Sequence, residues 1–485
     1  MAQFQCDLQQ TGRPLPHFWE HCLGSGHAHL SLRADWQAQL RRCRAELGVR
    51  HIRFHGLLSD GMGTLICQNE KLLYSFFNAD QGYDFIHSLG MKPLVELSFM
   101  PSAIASGTQT VMHYAANVTP PADYGQWAAL IDKLARHWIA RYGLEEVRSW
   151  PMEVWNEPNM PSFWPAGQEA YFELYRYTSL ALKNVDSQLQ VGGPVSAKCA
   201  WIPEFLQFCA ADRLPVDFVS THTYPTDAVG SPGQDTRTEL AHSRRSILRE
   251  RTQKARQEAG DLPLDFTEWS SSSNVQDPLL DESFAAAFIV KSLLENCGLV
   301  EGYSYWAFSD IFDENYFPSE PFTGGFGLLT LHNIAKPSYR AYQLLHQSGE
   351  ELLLTDGLHP TVDAWVVRDN DALTLIFTNF ALPEHPIRAE QIHMTLAHCA
   401  SPSDVYVQRI DADHANPKRM WQEIGSPSYL NAGQVAMLEA ASACVPEPLT
   451  YQYQERTLEL ECVAPPQSVT AITVPLEARK PIAGA

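Results

Sequence analysis

The chain has 485 residues, more than one ordinary domain holds, and 45% of them are hydrophobic, enough for a large core. Its formal net charge is −21, a surface that repels phosphate backbones and argues against nucleic-acid binding. No apolar run is long enough to span a membrane, and Met1-Ala-Gln-Phe-Gln-Cys-Asp-Leu lacks the basic and apolar regions of a signal peptide, so the expectation is a cytoplasmic protein.

Ten cysteines are scattered without CxxC pairs. They read as reduced, mostly buried thiols rather than metal ligands or disulfides. Asn117-Val118-Thr119 is a formal glycosylation sequon, read as chance in a cytoplasmic chain. Twelve Trp and eighteen Tyr supply flat faces that suit sugar rings, although most aromatics fill cores.

The elements come in a regular order. Phe4-Gln-Cys-Asp-Leu-Gln alternates like a strand, but it comes too early to be a barrel strand. Eight short apolar runs then cover residues 18–24, 51–55, 93–99, 151–155, 190–194, 217–222, 263–267 and 302–308. Amphipathic stretches lie between them. Residues 34–47 space Trp36, Leu40, Cys43 and Leu47 at helical intervals, and Gly48 marks the stop. Residues 123–142 begin at the N-cap candidate Asp123 and carry Trp127, Leu130, Ile131, Leu134 and Trp138 on one face. Further helices are predicted over 168–185, 201–211, 236–259, 279–297 and 335–347. Eight strand-then-helix units predict an α/β fold, a (β/α)8 TIM barrel over 15–347; the rival open sheet lacks GxGxxG after its first run.

Past residue 348 helical spacing gives way to alternation, as in Leu373-Thr-Leu-Ile-Phe-Thr and Leu458-Glu-Leu-Glu-Cys-Val. This predicts an accessory antiparallel β-sandwich. The N-terminal strand is expected to join it, making that domain discontinuous, 1–14 plus 348–485.

Two glutamates carry the chemistry. Glu157 follows the fourth run in Val154-Trp155-Asn156-Glu157-Pro158, and Glu268 ends the seventh in Asp265-Phe266-Thr267-Glu268-Trp269. They stand 111 positions apart, which fits strand ends three units apart, facing each other across a barrel mouth where such folds keep their catalytic groups. A buried Glu is often just half of an ion pair; two at facing strand ends are the apparatus of glycoside hydrolysis. One carboxyl must stay protonated, and repulsion by its ionised partner is the expected cause.

Other strand ends offer His55, Asn156, His222 and Tyr224 for sugar hydroxyls or for orienting a carboxylate, and Trp306 as a stacking floor. Phe163 and Trp164, close to Glu157 in sequence, are candidates to meet the leaving sugar. Each has a plainer reading as a hydrogen-bonded or packed core residue. His27-Ala-His29 lacks the further ligands of a zinc site. Gly324-Gly-Phe-Gly327 precedes no Lys-Ser/Thr and reads as a tight loop rather than a phosphate cradle. No metal and no cofactor are expected.

With these motifs the chain resembles family 39 of the glycoside hydrolases, within the clan of retaining (β/α)8 enzymes, and among them the bacterial β-xylosidases. The matching segments are Gly24-Ser-Gly-His-Ala, Arg53-Phe-His-Gly, Val154-Trp-Asn-Glu-Pro, Thr221-His-Thr-Tyr-Pro, Phe266-Thr-Glu-Trp, Tyr305-Trp-Ala-Phe-Ser-Asp and Phe322-Thr-Gly-Gly-Phe-Gly-Leu-Leu. The resemblance implies Glu157 as acid/base, Glu268 as nucleophile, and Asn156, His55, His222 and Tyr224 lining the sugar subsite. It implies an exo-acting retaining β-D-xylosidase working on xylo-oligosaccharides, with oligomeric state open and a monomer possible. The rival of the same family is an α-L-iduronidase, whose substrate carboxylate calls for basic groups. The strand-end motifs offer Arg53 alone. Arabinosidase activity is a second variant. A catalytically inactive carbohydrate-binding protein is the rival of another class, disfavoured by the presence of both carboxylates.

Overall fold

The computed structural model describes residues 1–228, 236–314 and 318–476. Its centre is a ring of parallel strands: β1 (Cys22–His27), β2 (His51–His55), β3 in two pieces (Lys92–Pro93 and Val95–Leu97), β4 (Pro151–Val154), β5 (Gln190–Ser196), β6 (Phe218–Thr223), β7 (Leu264–Trp269) and β8 (Gly302–Tyr305). Strand β3 closes the ring. Its first piece pairs with β2 and its second with β4, while β1 pairs with both β2 and β8. The fold is a (β/α)8 barrel with separate, mainly antiparallel sheets.

The period of two along each strand sorts the side chains. In β2, Ile52 and Phe54 join the apolar layer under the helices, and Arg53 and His55 turn into the barrel. Helices close the outside. The helix α1 (Ala34–Leu47) ends at Gly48 in the left-handed region, φ +69°. In α2 (Tyr124–Tyr142) the Asp123 carboxylate caps the first turn by accepting from Gly125 N, and the buried stripe is Trp127, Leu130, Ile131, Leu134, Ala135 and Trp138.

Several expected boundaries shift. The first apolar run, 18–24, opens with a 3-10 turn, Phe18–Glu20, and its strand, β1, begins only at Cys22. Phe18 and Trp19 are buried beneath the barrel instead of pairing. The helix expected over 236–259 is two, Thr236–Ala241 and Ile247–Ala259. At the break Arg245 leaves the helical path to donate to Phe380 O and Thr361 O and to clasp Asp363. The stretch 279–297 divides into a 3-10 turn, Pro278–Asp281, and a helix, Ser283–Glu295, separated by the extended backbone of Glu282; the Asp281 carboxylate lies 2.7 Å from Lys336 Nζ.

Apart from two two-stranded ribbons, Leu65–Gln68 with Lys71–Tyr74 and Thr110–Val111 with Ala116–Asn117, the remaining described strands form two sheets. A seven-stranded one is centred on Val362–Arg368, Ala372–Asn379 and Ser468–Pro475, and a four-stranded one on Glu390–Ala397 and Thr457–Ala464. The N-terminal strand Ala2–Asp7 pairs with Glu390–Ala397, in parallel. The sheets enclose Phe4, Val366, Leu375, Met394, Leu460 and Ile472. Two helices not foreseen from the alternating pattern, Pro417–Glu423 and Ala432–Ala441, interrupt the strands. The second starts with a capping box, Asn431 and Gln434, and packs Leu438 against Phe322 and Ile334 near the barrel mouth.

Candidate active site

Arg53 organises the mouth. It is fully buried on β2. Its Nε donates to Glu153 Oε2 at 2.6 Å, Nη1 to Glu268 Oε1 at 2.8 Å and Nη2 to Asn156 Oδ1 at 2.9 Å, with Glu96 Oε2 2.8 Å from Nη2. Burying one guanidinium without partners costs several kcal/mol; here every face is paired. The bond from Arg53 fixes which end of the Asn156 amide is the oxygen and leaves the amide nitrogen as a donor.

Glu157 sits on strained backbone just past β4. Trp155 has φ +74° and Glu157 φ +43°, a region that costs a non-glycine residue on the order of 1–3 kcal/mol. Glu157 N donates to Val195 O at 2.9 Å and Trp155 Nε1 to Phe163 O at 2.9 Å, which hold the turn. The result aims the Glu157 carboxyl across the mouth. Its Oε1 lies 3.0 Å from His222 Nδ1.

Glu268 comes from β7. Its Oε1 accepts from Arg53, its Oε2 from the Tyr224 hydroxyl at 3.0 Å, and His55 Nε2 stands 3.5 Å away. One oxygen of Glu157, one of Glu268 and a ring nitrogen of His222 all fall within 4.8 Å of one another. That is close to the separation of roughly 5–5.5 Å typical of retaining glycosidases and well inside the inverting range of about 6.5–9.5 Å.

The environments of the titratable groups differ. Burial pushes the Glu157 carboxyl up to about 7, against the pull of His55 and Arg53. Desolvation, not repulsion by Glu268, is the main cause, which corrects the sequence-based expectation. Burial also takes His222 down to about 4, so it is a neutral imidazole with one N–H to share between Glu157 and Thr267 Oγ1 (3.2 Å). His55 goes the other way: burial opposes its charge, but Glu96, Glu314 and Glu268 lift it to about 9. Glu314 is pushed up to about 8, chiefly by burial.

Trp306 lies beside His55, ring centroids 4.6 Å apart, with Phe312 against it. A Cβ at Gly24 would stand 2.4 Å from the Trp306 ring, so glycine on β1 is what lets the indole lie down. Phe163 is half-buried and stacked on Phe99 (6.3 Å, 7°). Trp164 is not at the mouth: it is 1% exposed, packed on Trp155, its Nε1 donating to Gly167 O. Its apolar neighbours claim it for the core. His27 stacks on Tyr114 at 3.7 Å. Of the loop 312–323, residues 315–317 lie outside the described residues.

Glu96, Glu153 and Glu314 were not singled out from sequence. Glu96 binds His55 Nδ1 at 2.7 Å, and Glu314 faces His55 Nε2 at 3.6 Å. A charged residue inside an apolar strand run was the available signal for Glu96 and Glu153. Glu314, in a loop, had none.

A closed parallel barrel with two carboxyls facing each other at this distance, one whose proton is held more tightly by burial and the other fed by Arg and Tyr donors, fits a glycoside hydrolase. Comparison with known proteins narrows the class. The profile of the glycosyl hydrolases family 39 matches residues 2–454, and the chain belongs to that family. It is 47% identical over 465 residues to a beta-xylosidase of Caldicellulosiruptor saccharolyticus, covering 94% of this chain and 95% of that one. It is 36% identical over 477 residues to a beta-xylosidase of Geobacillus stearothermophilus, covering 94% and 92%. The crystal structure of a monomeric beta-xylosidase from Caulobacter crescentus CB15 superposes with a TM-score of 0.86 at 34% identity, over 99% of this chain and 100% of that one.

Proposed function

We propose that the protein is an exo-acting, retaining β-D-xylosidase that removes xylose from the non-reducing ends of short xylo-oligosaccharides. The observation that carries this is the approach of the Glu157 and Glu268 oxygens to within 4.8 Å, in environments that keep one protonated and supply the other with donors.

Glu157 is the acid/base and Glu268 the nucleophile. Glu268 Oε2 attacks the anomeric carbon while Glu157 gives its proton to the departing glycosidic oxygen. The C–O bond to the leaving sugar breaks and a glycosyl ester forms. Esterification removes the negative charge of Glu268. His55 and Arg53, the cations that pull Glu157 down, are then less compensated, so Glu157 ionises more readily. As a base it takes a proton from water, whose oxygen attacks the same carbon and frees the carboxylate. His222 and Tyr224 hold the two carboxyls in register, Asn156 and His55 meet sugar hydroxyls, Trp306 floors the ring and Phe163 meets the leaving sugar.

The guanidinium of Arg53 is committed to three glutamates and Asn156, so it is not available to the carboxylate of a uronic acid, which disfavours an iduronidase. We place the enzyme in the cytoplasm, acting on imported oligomers. All ten cysteines are free, as expected of a reducing compartment, and no described helix is long and apolar enough to cross a membrane. Residues 15–347 would be the catalytic unit and 1–14 with 348–485 the accessory one, consistent with pairing of the N-terminal strand with Glu390–Ala397.

The test is turnover of nitrophenyl β-xyloside by wild type, Glu268→Ala and Glu157→Ala, with the first-formed anomer followed by NMR. Azide added to Glu157→Ala is expected to restore turnover and give the β-glycosyl azide. Full activity in Glu268→Ala, or an inverted first product, overturns the assignment.

A further inference from the structure

The opposite end of the barrel holds a second cluster that the reaction does not use. His17 and Glu20 lie just before β1, and His346 ends the last barrel helix, Pro337–His346. His17 Nδ1 is 2.7 Å from Glu20 Oε1, and His346 Nδ1 is 2.8 Å from the same oxygen. One donor atom from each residue falls within 4.8 Å of the others.

The other nitrogen of His17 decides what this means. His17 Nε2 is 3.2 Å from Gly349 O. A carbonyl only accepts, so Nε2 carries the proton. The Nδ1 of a neutral His17 then points a lone pair at a carboxylate oxygen, and His346 faces that same oxygen. Something positive must stand between His17 and Glu20: a second proton on the His17 ring, or a cation, which His346, facing the same oxygen, is placed to share. A histidine whose far N–H is held by a backbone carbonyl is the usual arrangement of a metal ligand. The His17 ring is also fixed by stacking on Trp19, centroids 4.6 Å apart. A Cβ at Gly48 would meet His346 Cε1 at 2.5 Å and Glu20 Oε2 at 2.8 Å, so glycine there keeps the space clear. The His346 side chain is 34% exposed, which leaves a way in from solvent and a side for water.

We infer that His17, Glu20 and His346 form a binding site for a divalent cation of the zinc class. Two imidazoles and one carboxylate are ligands such an ion takes, with metal–ligand distances of about 2.0–2.2 Å and water as the fourth ligand. Each imidazole nitrogen need only draw back from Glu20 Oε1 by about half an ångström to reach tetrahedral spacing. The bound ion fastens the segment that enters the first strand to the last barrel helix, so its effect is on stability and not on turnover.

The probes are Zn2+ and Co2+ added to the whole protein after treatment with EDTA. Wild type is expected to take up one Zn2+ at this site, to melt at a higher temperature when loaded, and to show the visible absorption of tetrahedral Co2+. His346→Gln and His17→Gln weaken uptake at least tenfold and lose the Co2+ band, while nitrophenyl xyloside turnover stays at the wild-type level. Glu20→Gln, which keeps the side-chain shape, gives the same loss and guards against misfolding of either histidine variant. Glu157, His222 and Glu268 are also clustered, so Glu268→Gln serves as a control and must keep the band. No uptake by wild type, a band that survives in His346→Gln, or a band lost in Glu268→Gln overturns the site.

Discussion

The barrel mouth and the sandwich interior are built on opposite terms. At the mouth, Arg53, Glu96, Glu153, Glu268, His55 and His222 are all buried. The sandwich interior is Val366, Leu375, Phe377, Met394, Leu460 and Ile472. Apolar burial there is additive and local, worth about 1.5–3 kcal/mol for each large side chain. Buried charge is neither: one partner removed leaves another uncompensated. The mouth therefore holds its charges at some expense of stability, and the sandwich core contributes stability through apolar burial. Changes at the mouth should move rates and, where they uncover a buried charge, melting as well, whereas changes in the sandwich core should move melting alone.

The largest effect is expected from Glu268→Ala. With no nucleophile the glycosyl ester cannot form, and kcat should fall by on the order of 10⁴-fold or more, read with nitrophenyl xyloside. Glu157→Ala comes next, with a loss of about 10²–10⁴-fold on substrates whose leaving group needs a proton and a smaller loss on nitrophenyl glycosides. Leu375→Ala tests the other side. It should cost about 2–5 kcal/mol in urea unfolding with kcat of the folded fraction unchanged. A drop in kcat there would mean the sandwich is not separate from the chemistry.

Glu314→Gln joins the two properties. The Glu314 carboxyl is pushed up to about 8 by burial, whereas a free Glu titrates near 4.3. The folded state therefore holds this proton more tightly than the unfolded one. The resulting stability is full below about pH 4 and is lost as pH rises through about 8. Glu314→Gln removes the titration, so its urea midpoint should decline less than that of wild type between pH 5 and 8. An identical decline in both would show that Glu314 does not hold its proton.

Much of the fold and the site was legible in the chain because strands and helices write their period directly. Ile52 and Phe54 against Arg53 and His55 show the two faces of β2, and Trp127 to Trp138 show one face of a helix. Their places at the ends of the fourth and seventh runs singled out Glu157 and Glu268, whose oxygens the fold brings within 4.8 Å of each other. What stayed hidden depends on contacts between distant segments. Nothing near Arg245 announces that it breaks a helix to reach Phe380 O and Asp363. The share of burial in the proton affinity of Glu157 needs the packed site. Nearness to Glu157 makes Trp164 read as a sugar contact, but sequence distance does not tell which way a side chain turns, and Trp155 holds it inside.

The smallest expected effect sharpens the comparison most, because it asks whether the mouth senses charge from outside it. Lys198 is exposed and adjoins the site, where its charge lowers the proton affinity of Glu157 less than His55 and Arg53 do. The alkaline limb of kcat/KM reports ionisation of the acid in the free enzyme, so for wild type it should fall near 7, where burial sets the Glu157 carboxyl. Lys198→Ala removes a favourable charge from the ionised form and should move that limb upward by a few tenths of a pH unit at low salt. At about 1 M salt, where the Debye length is roughly 3 Å, the two profiles should coincide, because an exposed charge is screened and the buried Arg53 and His55 are not. A limb that stays put at low salt would confine control of Glu157 to the buried cluster. A shift that persists at high salt would mean that Lys198→Ala acts by moving the turn that carries Val195, whose carbonyl accepts from Glu157 N at 2.9 Å, and not through charge.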